Sequence, residues 1–176
     1  MKITMIVAMS KDGFINHIGE KHASDWTSPE DQQHFKNVLG RFGLQIMGMN
    51  TYQAYKDLMK LTPGRLRMVF THSPETYAGV PGQLEFTNDS VNVLLTKMEQ
   101  AGFQEALLVG GGKMFSEFLH DRLIDEAYVT IEPHVFGDGI PFLPDGQTME
   151  SFPYLTIVEQ SDINSTGTRL LHYIRS

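Results

Sequence analysis

The 176-residue chain predicts an α/β fold: a single central mixed, mostly parallel β-sheet flanked by helices, completed by antiparallel C-terminal strands. Three observations carry this expectation. Over the first two-thirds, short apolar runs alternate with segments whose apolar residues recur at helical spacing. Two of those runs pass through glycine directly into a helix start, at Gly48 and at Gly110–Gly112. The last third carries two extended runs, Tyr154–Asp162 and Thr168–Arg175, joined at Asn164–Gly167 as an antiparallel pair requires.

Taken in order, Ile3–Met9 is a continuous apolar run that fits a buried strand. Asp12-Gly13 turns it, Phe14-Ile15 is a brief apolar return, and Asn16–Asp25 is a polar loop long enough to serve as a lid. A helix is expected from Thr27-Ser28-Pro29-Glu30: Thr27 and Ser28 are N-cap candidates, Thr27-x-x-Glu30 matches a capping box, and Pro29 suits the first turn. Its inward face is Phe35, Val38, Leu39 and Phe42, and Asp31, four residues before Phe35, shares that face. Leu44–Met47 is a second strand, and Asn50 or Thr51 caps a helix running to about Met59. Leu66–Thr71 is a third strand, Ser73–Glu85 a Pro/Gly-punctuated loop, and Val91–Ala101 an amphipathic helix. Ile124–Glu132 is a strand, followed by the loop Pro133–Gly146.

Composition narrows the function. The chain reads as one domain, 1–176, with a formal net charge of −7. It offers no basic field for nucleic acid or an anionic membrane surface, so neither is an expected partner. Without cysteine there is no disulfide, iron–sulfur cluster or thiol catalysis. With neither a signal-peptide pattern nor a run of membrane-spanning length, a cytoplasmic location is expected. His17 and His22 lack a carboxylate at ligand spacing, and no other clustered metal-ligand spacing occurs, so no metal is expected.

Two stretches carry chemistry. In Ala106–Leu119, a buried strand turns through Gly110, Gly111 and Gly112 into a helix. That arrangement fits a phosphate or diphosphate cradle, because backbone N–H groups and the positive end of a helix dipole converge there. It also fits a tight turn without a ligand; three consecutive glycines exceed what a turn needs. The second stretch surrounds Asp31, a carboxylate on a buried face close to Trp26, the one tryptophan. It is equally a helix-capping Asp held by the dipole or a carboxylate that grips a cationic or amidine-like ring.

Six segments in order resemble the dihydrofolate-reductase superfamily: Met5–Ile15, Trp26-x-x-Pro29-x-Asp31-x-x-x-Phe35, Ile46-Met47-Gly48-x-x-Thr51-Tyr52, Pro63-Gly64-Arg65, Val109-Gly110-Gly111-Gly112-x-x-Phe115 and Tyr128-Val129-Thr130. The resemblance implies the dihydrofolate-reductase-like fold and NADPH as cofactor. The cofactor-binding residues it implies are Ala8, Ile15, Gly48, Asn50, Thr51, Thr71, His72, Ser73, Val109, Gly110, Gly111, Gly112, Lys113, Met114 and Phe115. Of these, Gly110–Gly112 and Lys113 face the diphosphate, and Thr71–Ser73 the adenosine 2′-phosphate. Asp31 and Thr130 are the implied catalytic pair, with Thr130 the hydroxyl partner of the carboxylate. Ile6, Trp26, Asp31, Phe35 and Arg65 are the implied substrate-binding residues.

Within the superfamily, Asp12–Ile15, Trp26–Glu30, Leu123–Glu126 and Phe136–Phe142 are similar to the pyrimidine reductase of riboflavin biosynthesis. The expected activity is therefore NAD(P)H-dependent hydride transfer to a phosphoribosylamino-uracil. Dihydrofolate reduction is the alternative, and a non-catalytic nucleotide-binding role a third reading. Met49 stands where folate reductases usually carry Arg, so the fork on a 2′-phosphate is missing. Arg65 fits a folate glutamate tail or a ribose phosphate. The branch also implies a homodimer, for which the C-terminal strands offer a face.

Overall fold

The computed structural model describes residues 1–20 and 22–176; Lys21, inside the expected Asn16–Asp25 loop, lies outside the described residues. The strands are β1 (Lys2–Ser10), β2 (Phe14–Asn16), β3 (Leu44–Gly48), β4 (Leu66–Phe70), β5 (Leu84–Thr87), β6 (Glu105–Gly110), β7 (Glu126–Glu132), β8 (Ile140–Pro141), β9 (Leu155–Asp162) and β10 (Arg169–Arg175). The helices are α1 (Pro29–Leu39), α2 (Met49–Tyr55), α3 (Val91–Gln100) and α4 (Gly112–His120).

Eight strands form one sheet in the order β5-β4-β3-β6-β1-β7-β10-β9. The six from β5 to β7 run parallel. β10 is antiparallel to β7, and β9 to β10. The mixed, mostly parallel sheet with an antiparallel C-terminal pair is the architecture expected from sequence. β2 and β8 form a separate two-stranded pair beside it.

Side chains alternate across the sheet and bury two cores. Ile3, Met5, Val7, Leu44, Ile46, Ala106 and Leu108 face one side, packed with Phe115, Phe118 and Leu119 of α4 and Leu94 of α3. Ile6 and Leu107 face the other, packed with Val38 of α1 and with Phe42. Met47 and Val69 meet Tyr52 near α2, and Val109 touches both of these groups, which places it between α1 and α2. Because β1, β3 and β6 are parallel, Ser10, Gly48 and Gly110 end at the same edge of the sheet. Ligands bind there in open α/β sheets.

Several local expectations shift. Of the two cap candidates, Ser28 rather than Thr27 caps α1: its Oγ accepts the Asp31 N–H at 3.3 Å. Neither Asn50 nor Thr51 caps α2, which begins after Gly48 and stops at Tyr55 rather than Met59. Phe35 is 37% exposed instead of buried with Val38. Four residues after Asp31 the helix face has already turned toward the rim, because an ideal helix gains about 40° of rotation over that interval.

Candidate active site

Asp31 enters the site from α1. Its position three residues after the Ser28 cap holds its backbone, and its side chain points at the sheet with the residue only 7% exposed. Burial raises its pKa above the ordinary 3.8, the Thr130 and Thr27 hydroxyls pull it back, and the charge of Glu132 raises it further. Thr130 on β7 is buried and pairs in register with Ala8 on β1. Alternation along β1 puts Ile6 and Ala8 on that same face. The structure thus brings Asp31, Thr130, Ala8, Ile6 and Val109 together on the α1–α2 face at the carboxyl ends of β1, β6 and β7.

The two glycine turns converge beside them. A Cβ on Gly48 would lie 3.1 Å from Met114 Cγ and 3.9 Å from Gly111 N. Thr51 Oγ1 would lie 3.1 Å from a Cβ on Gly111 and 3.4 Å from one on Gly110. Gly110 has φ 128°, a conformation natural to glycine. Gly111 is the N-cap of α4, and no side chain caps the helix, so its first N–H groups have no side-chain acceptor.

Gly112 answers to a different neighbour: a Cβ there would lie 2.8 Å from Pro141 O and 3.0 Å from Phe142 O. Its missing side chain makes room for the Pro141–Phe142 backbone. Lys113 is exposed, whereas Met114 and Phe115 are buried in the core under α4. Asn50 is exposed and Thr51 half-buried on α2. Thr71, His72 and Ser73 follow β4 at the same sheet edge, with Ser73 N donating to Thr71 Oγ1 at 3.4 Å.

His22 and Ala23 meet α2. His22 Nε2 lies 2.7 Å from Ala54 O, and Ala23 N donates to the Tyr55 hydroxyl at 2.6 Å. Residues 23–25 form a 3-10 turn ending at Trp26. Trp26 Nε1 donates to Asn16 Oδ1 at 3.2 Å, and its ring meets Phe136 edge-on at 5.0 Å. Ile15, on β2, is half-buried against the larger core. Across from Trp26, Asp12 accepts from Gly137 N at 2.7 Å and from Phe136 N at 3.1 Å, tying the β1–β2 turn to the 133–146 loop.

Arg65 lies at the far end of α1, its Nη2 on Gly40 O at 3.0 Å. Arg67, not singled out from sequence, is 6% exposed, with Nη2 on Lys60 O at 2.8 Å. Its other terminal nitrogen is buried without a partner among the described residues. The covered parallel sheet could have found it: Arg67 shares the face of Val69, opposite Leu66 and Met68, and both faces of β4 are buried. Glu132 and Asn164 were likewise missed, since a Glu ending a strand and an Asn in a turn read as solvated.

No group of three or more His, Cys, Asp or Glu among the described residues could hold a metal. Cavities of about 310 and 530 Å³ flank β5, lined by residues such as Thr87 and Lys97 or Tyr77 and Phe86. Neither reaches Asp31.

The site thus combines a buried carboxylate, a strand hydroxyl and two glycine turns at one end of the sheet. Residues 2–164 match the family model described as dihydrofolate reductase. The chain belongs to the dihydrofolate reductase family. Two Bacillus subtilis (strain 168) relatives are each 24% identical to it: the uncharacterized protein YwjB, over 99% of this chain and 98% of that protein, and the uncharacterized protein YyaP, over 82% and 81%.

Among solved structures, a protein from Shewanella sp. PV-4 named for riboflavin biosynthesis superposes with TM-score 0.76 at 21% identity, covering 100% of this chain and 99% of that one. The Thermotoga maritima diaminohydroxyphosphoribosylaminopyrimidine deaminase/5-amino-6-(5-phosphoribosylamino)uracil reductase gives 0.77 at 18% identity, over 99% of this chain and 56% of that one. Enterococcus faecalis dihydrofolate reductase complexed with NADP(H) and RAB-propyl gives 0.71 at 20%, over 99% and 96%. At these identities the likeness is one of fold. Within that shared family fold, the uncapped α4 start and the Asp31–Thr130 pair are features of this chain's own residues.

Proposed function

We propose that the protein is a nicotinamide-dependent reductase of a pyrimidine- or pterin-type heterocycle, most like 5-amino-6-(5-phosphoribosylamino)uracil reductase. The observation that carries this reading is the buried Asp31 carboxylate beside Thr130, at the same carboxyl ends of the strands where α4 starts uncapped. A carboxyl group desolvated this way holds a proton more readily than an exposed one, and in its ionised form accepts two N–H groups of an amino-imine ring edge.

The cradle fits a dinucleotide diphosphate. The α4 start presents unpaired N–H groups, and Gly110 and Gly111 keep side chains out of the approach. The nicotinamide supplies the hydride. Gly110, Gly111 and the α4 backbone would hold the diphosphate, with Gly48 and Thr51 supporting the turn and Ala8 and Ile15 flanking the nicotinamide. Thr71, His72 and Ser73 would hold the adenosine end, where Met49 brings no charge to a 2′-phosphate. Asp31 would orient the substrate ring and hold the proton delivered to it, Thr130 would hold the Asp31 carboxyl group in place, and Ile6, Phe35 and Trp26 would wall the ring. Arg65, with Arg67 behind it, would take the substrate's anionic end.

The family match and Arg65 also favour a second reading, dihydrofolate reduction. Oxidation of NADPH and NADH, followed with the phosphoribosylamino-pyrimidine and with dihydrofolate, separates the two. The expected result is turnover of the pyrimidine, with Asp31→Asn binding NADPH but losing at least about a hundredfold in kcat. Binding of NADPH with no oxidation in the presence of either substrate would refute both readings and leave a nucleotide-binding role.

A further inference from the structure

Glu132 ends β7 and is 1% exposed. A carboxylate this deep needs partners, and it has two. The Ser28 N–H donates to Oε1 at 2.7 Å, and the Thr168 hydroxyl donates to Oε2 at 2.6 Å. Ser28 is also the N-cap of α1, whose Oγ receives the Asp31 N–H. Two hydrogen bonds therefore connect Glu132 to the backbone of Asp31.

Thr168 is itself held. It follows the β9–β10 turn, where Asn164 Oδ1 accepts from Thr168 N at 3.0 Å and Asn164 Nδ2 donates to Thr168 Oγ1 at 2.8 Å. The same amide reaches Glu30 Oε2 on the first turn of α1 at 3.2 Å. The C-terminal hairpin is thus strapped to the start of the helix that carries Asp31. The groups acting on the Asp31 carboxylate are Thr27 beside the helix start and Thr130 and Glu132 on β7; from α2, Tyr55 lies within reach of its charge. None of these is a cation.

We propose that Glu132 is a positioning residue for Asp31: it anchors the N-terminus of α1 through Ser28 and sets a second, buried negative charge beside the Asp31 carboxylate. The assignment rests on Asp31 being the residue that meets the substrate ring. Among the described residues none of the groups acting on Asp31 is a cation, and the Glu132 charge disfavours a second anion nearby. It adds to the burial that already raises the Asp31 pKa, so the carboxyl group holds its proton more firmly. The β9–β10 turn contributes by supplying the hydroxyl that keeps Glu132 buried and oriented.

The test is carboxyl-carbon NMR of the full chain, with the Asp31 signal assigned by its loss in Asp31→Asn. In Glu132→Gln the side chain still accepts from Ser28 and meets Thr168, but the charge is gone; the Asp31 midpoint should fall. In Thr168→Val the charge remains, so the midpoint should not fall, while amide exchange at Asp31 and Gln32 should quicken about tenfold as α1 loosens. An unmoved midpoint in Glu132→Gln overturns the charge assignment, and unchanged exchange in Thr168→Val overturns the strap. If Glu132→Gln does not fold, Thr168→Val with Asn164→Ala decides the strap by the same exchange measurement. Neither readout uses turnover. A shifted midpoint in a protein that reduces no heterocycle would leave the Asp31–Glu132 coupling standing and reject the reductase reading instead.

Discussion

Gly112 and Pro141 are packed backbone to backbone: a Cβ at Gly112 would sit 2.8 Å from the Pro141 carbonyl oxygen. Neither partner can yield cheaply, because Phe142 N is bonded to Gly13 O at 2.8 Å and holds the segment in place. Gly112→Ala should therefore cost about 1–3 kcal/mol of stability, the range for overpacking a rigid contact. Gly111→Ala meets only the Thr51 hydroxyl, at 3.1 Å. It should cost less stability but interfere more with an anion at the α4 start. Urea midpoints of the two variants, beside thermal shifts with NADPH, check this ordering; equal stability losses would contradict it.

Asp31→Asn should stabilise the protein at neutral pH. Burial raises the Asp31 pKa above 3.8, so between that value and the raised one the folded chain binds more protons than the unfolded chain. Stability then declines as pH rises through this window, and the cost persists above it. The amide cannot ionise and escapes the decline. Urea titrations at about pH 3 and about pH 7 should show the variant gaining on the parent between the two. A constant difference would mean that Asp31 titrates normally.

Glu126 should govern acid sensitivity. Burial pushes its pKa up, but hydrogen bonds from Lys2, Tyr128 and His172 outweigh that and bring it to about 2 from an ordinary 4.5. His172 Nε2 lies 2.8 Å from its Oε1, and the Tyr128 hydroxyl donates to the same atom at 2.9 Å. A depressed carboxylate stabilises the fold fully above its unfolded pKa and loses that contribution as pH falls through its folded one. Glu126→Gln should flatten the stability profile between pH 4.5 and about 2, as followed by circular dichroism in moderate urea.

The Tyr55 hydroxyl is the acceptor that latches the 22–25 segment to α2. Tyr55→Phe leaves the Ala23 N–H without that acceptor, a local loss of about 1 kcal/mol. Hydrogen exchange at Ala23 and Trp26 should accelerate while exchange in β1 and β6 stays unchanged. Global acceleration would show that the latch supports the whole fold rather than the segment alone.

Much of this protein is determined by its sequence alone. The apolar runs, the helical spacing of Val91–Met98 and the glycine-to-helix turns specify an α/β sheet with an antiparallel end, because period and breakers are local properties. Six motif segments in order from Met5 to Thr130 carried the family resemblance, and the Thr27–Glu30 helix start located Asp31 on the first turn of α1. Only tertiary structure decided what each residue faces. Whether a glycine makes room for a ligand or for Pro141, and whether Phe35 is covered, depends on segments distant in sequence. Glu132 and Asn164 read as ordinary polar residues until the C-terminal hairpin folds back onto the start of α1. Their roles arise from contacts across more than a hundred positions of the chain, a separation that no local pattern encodes.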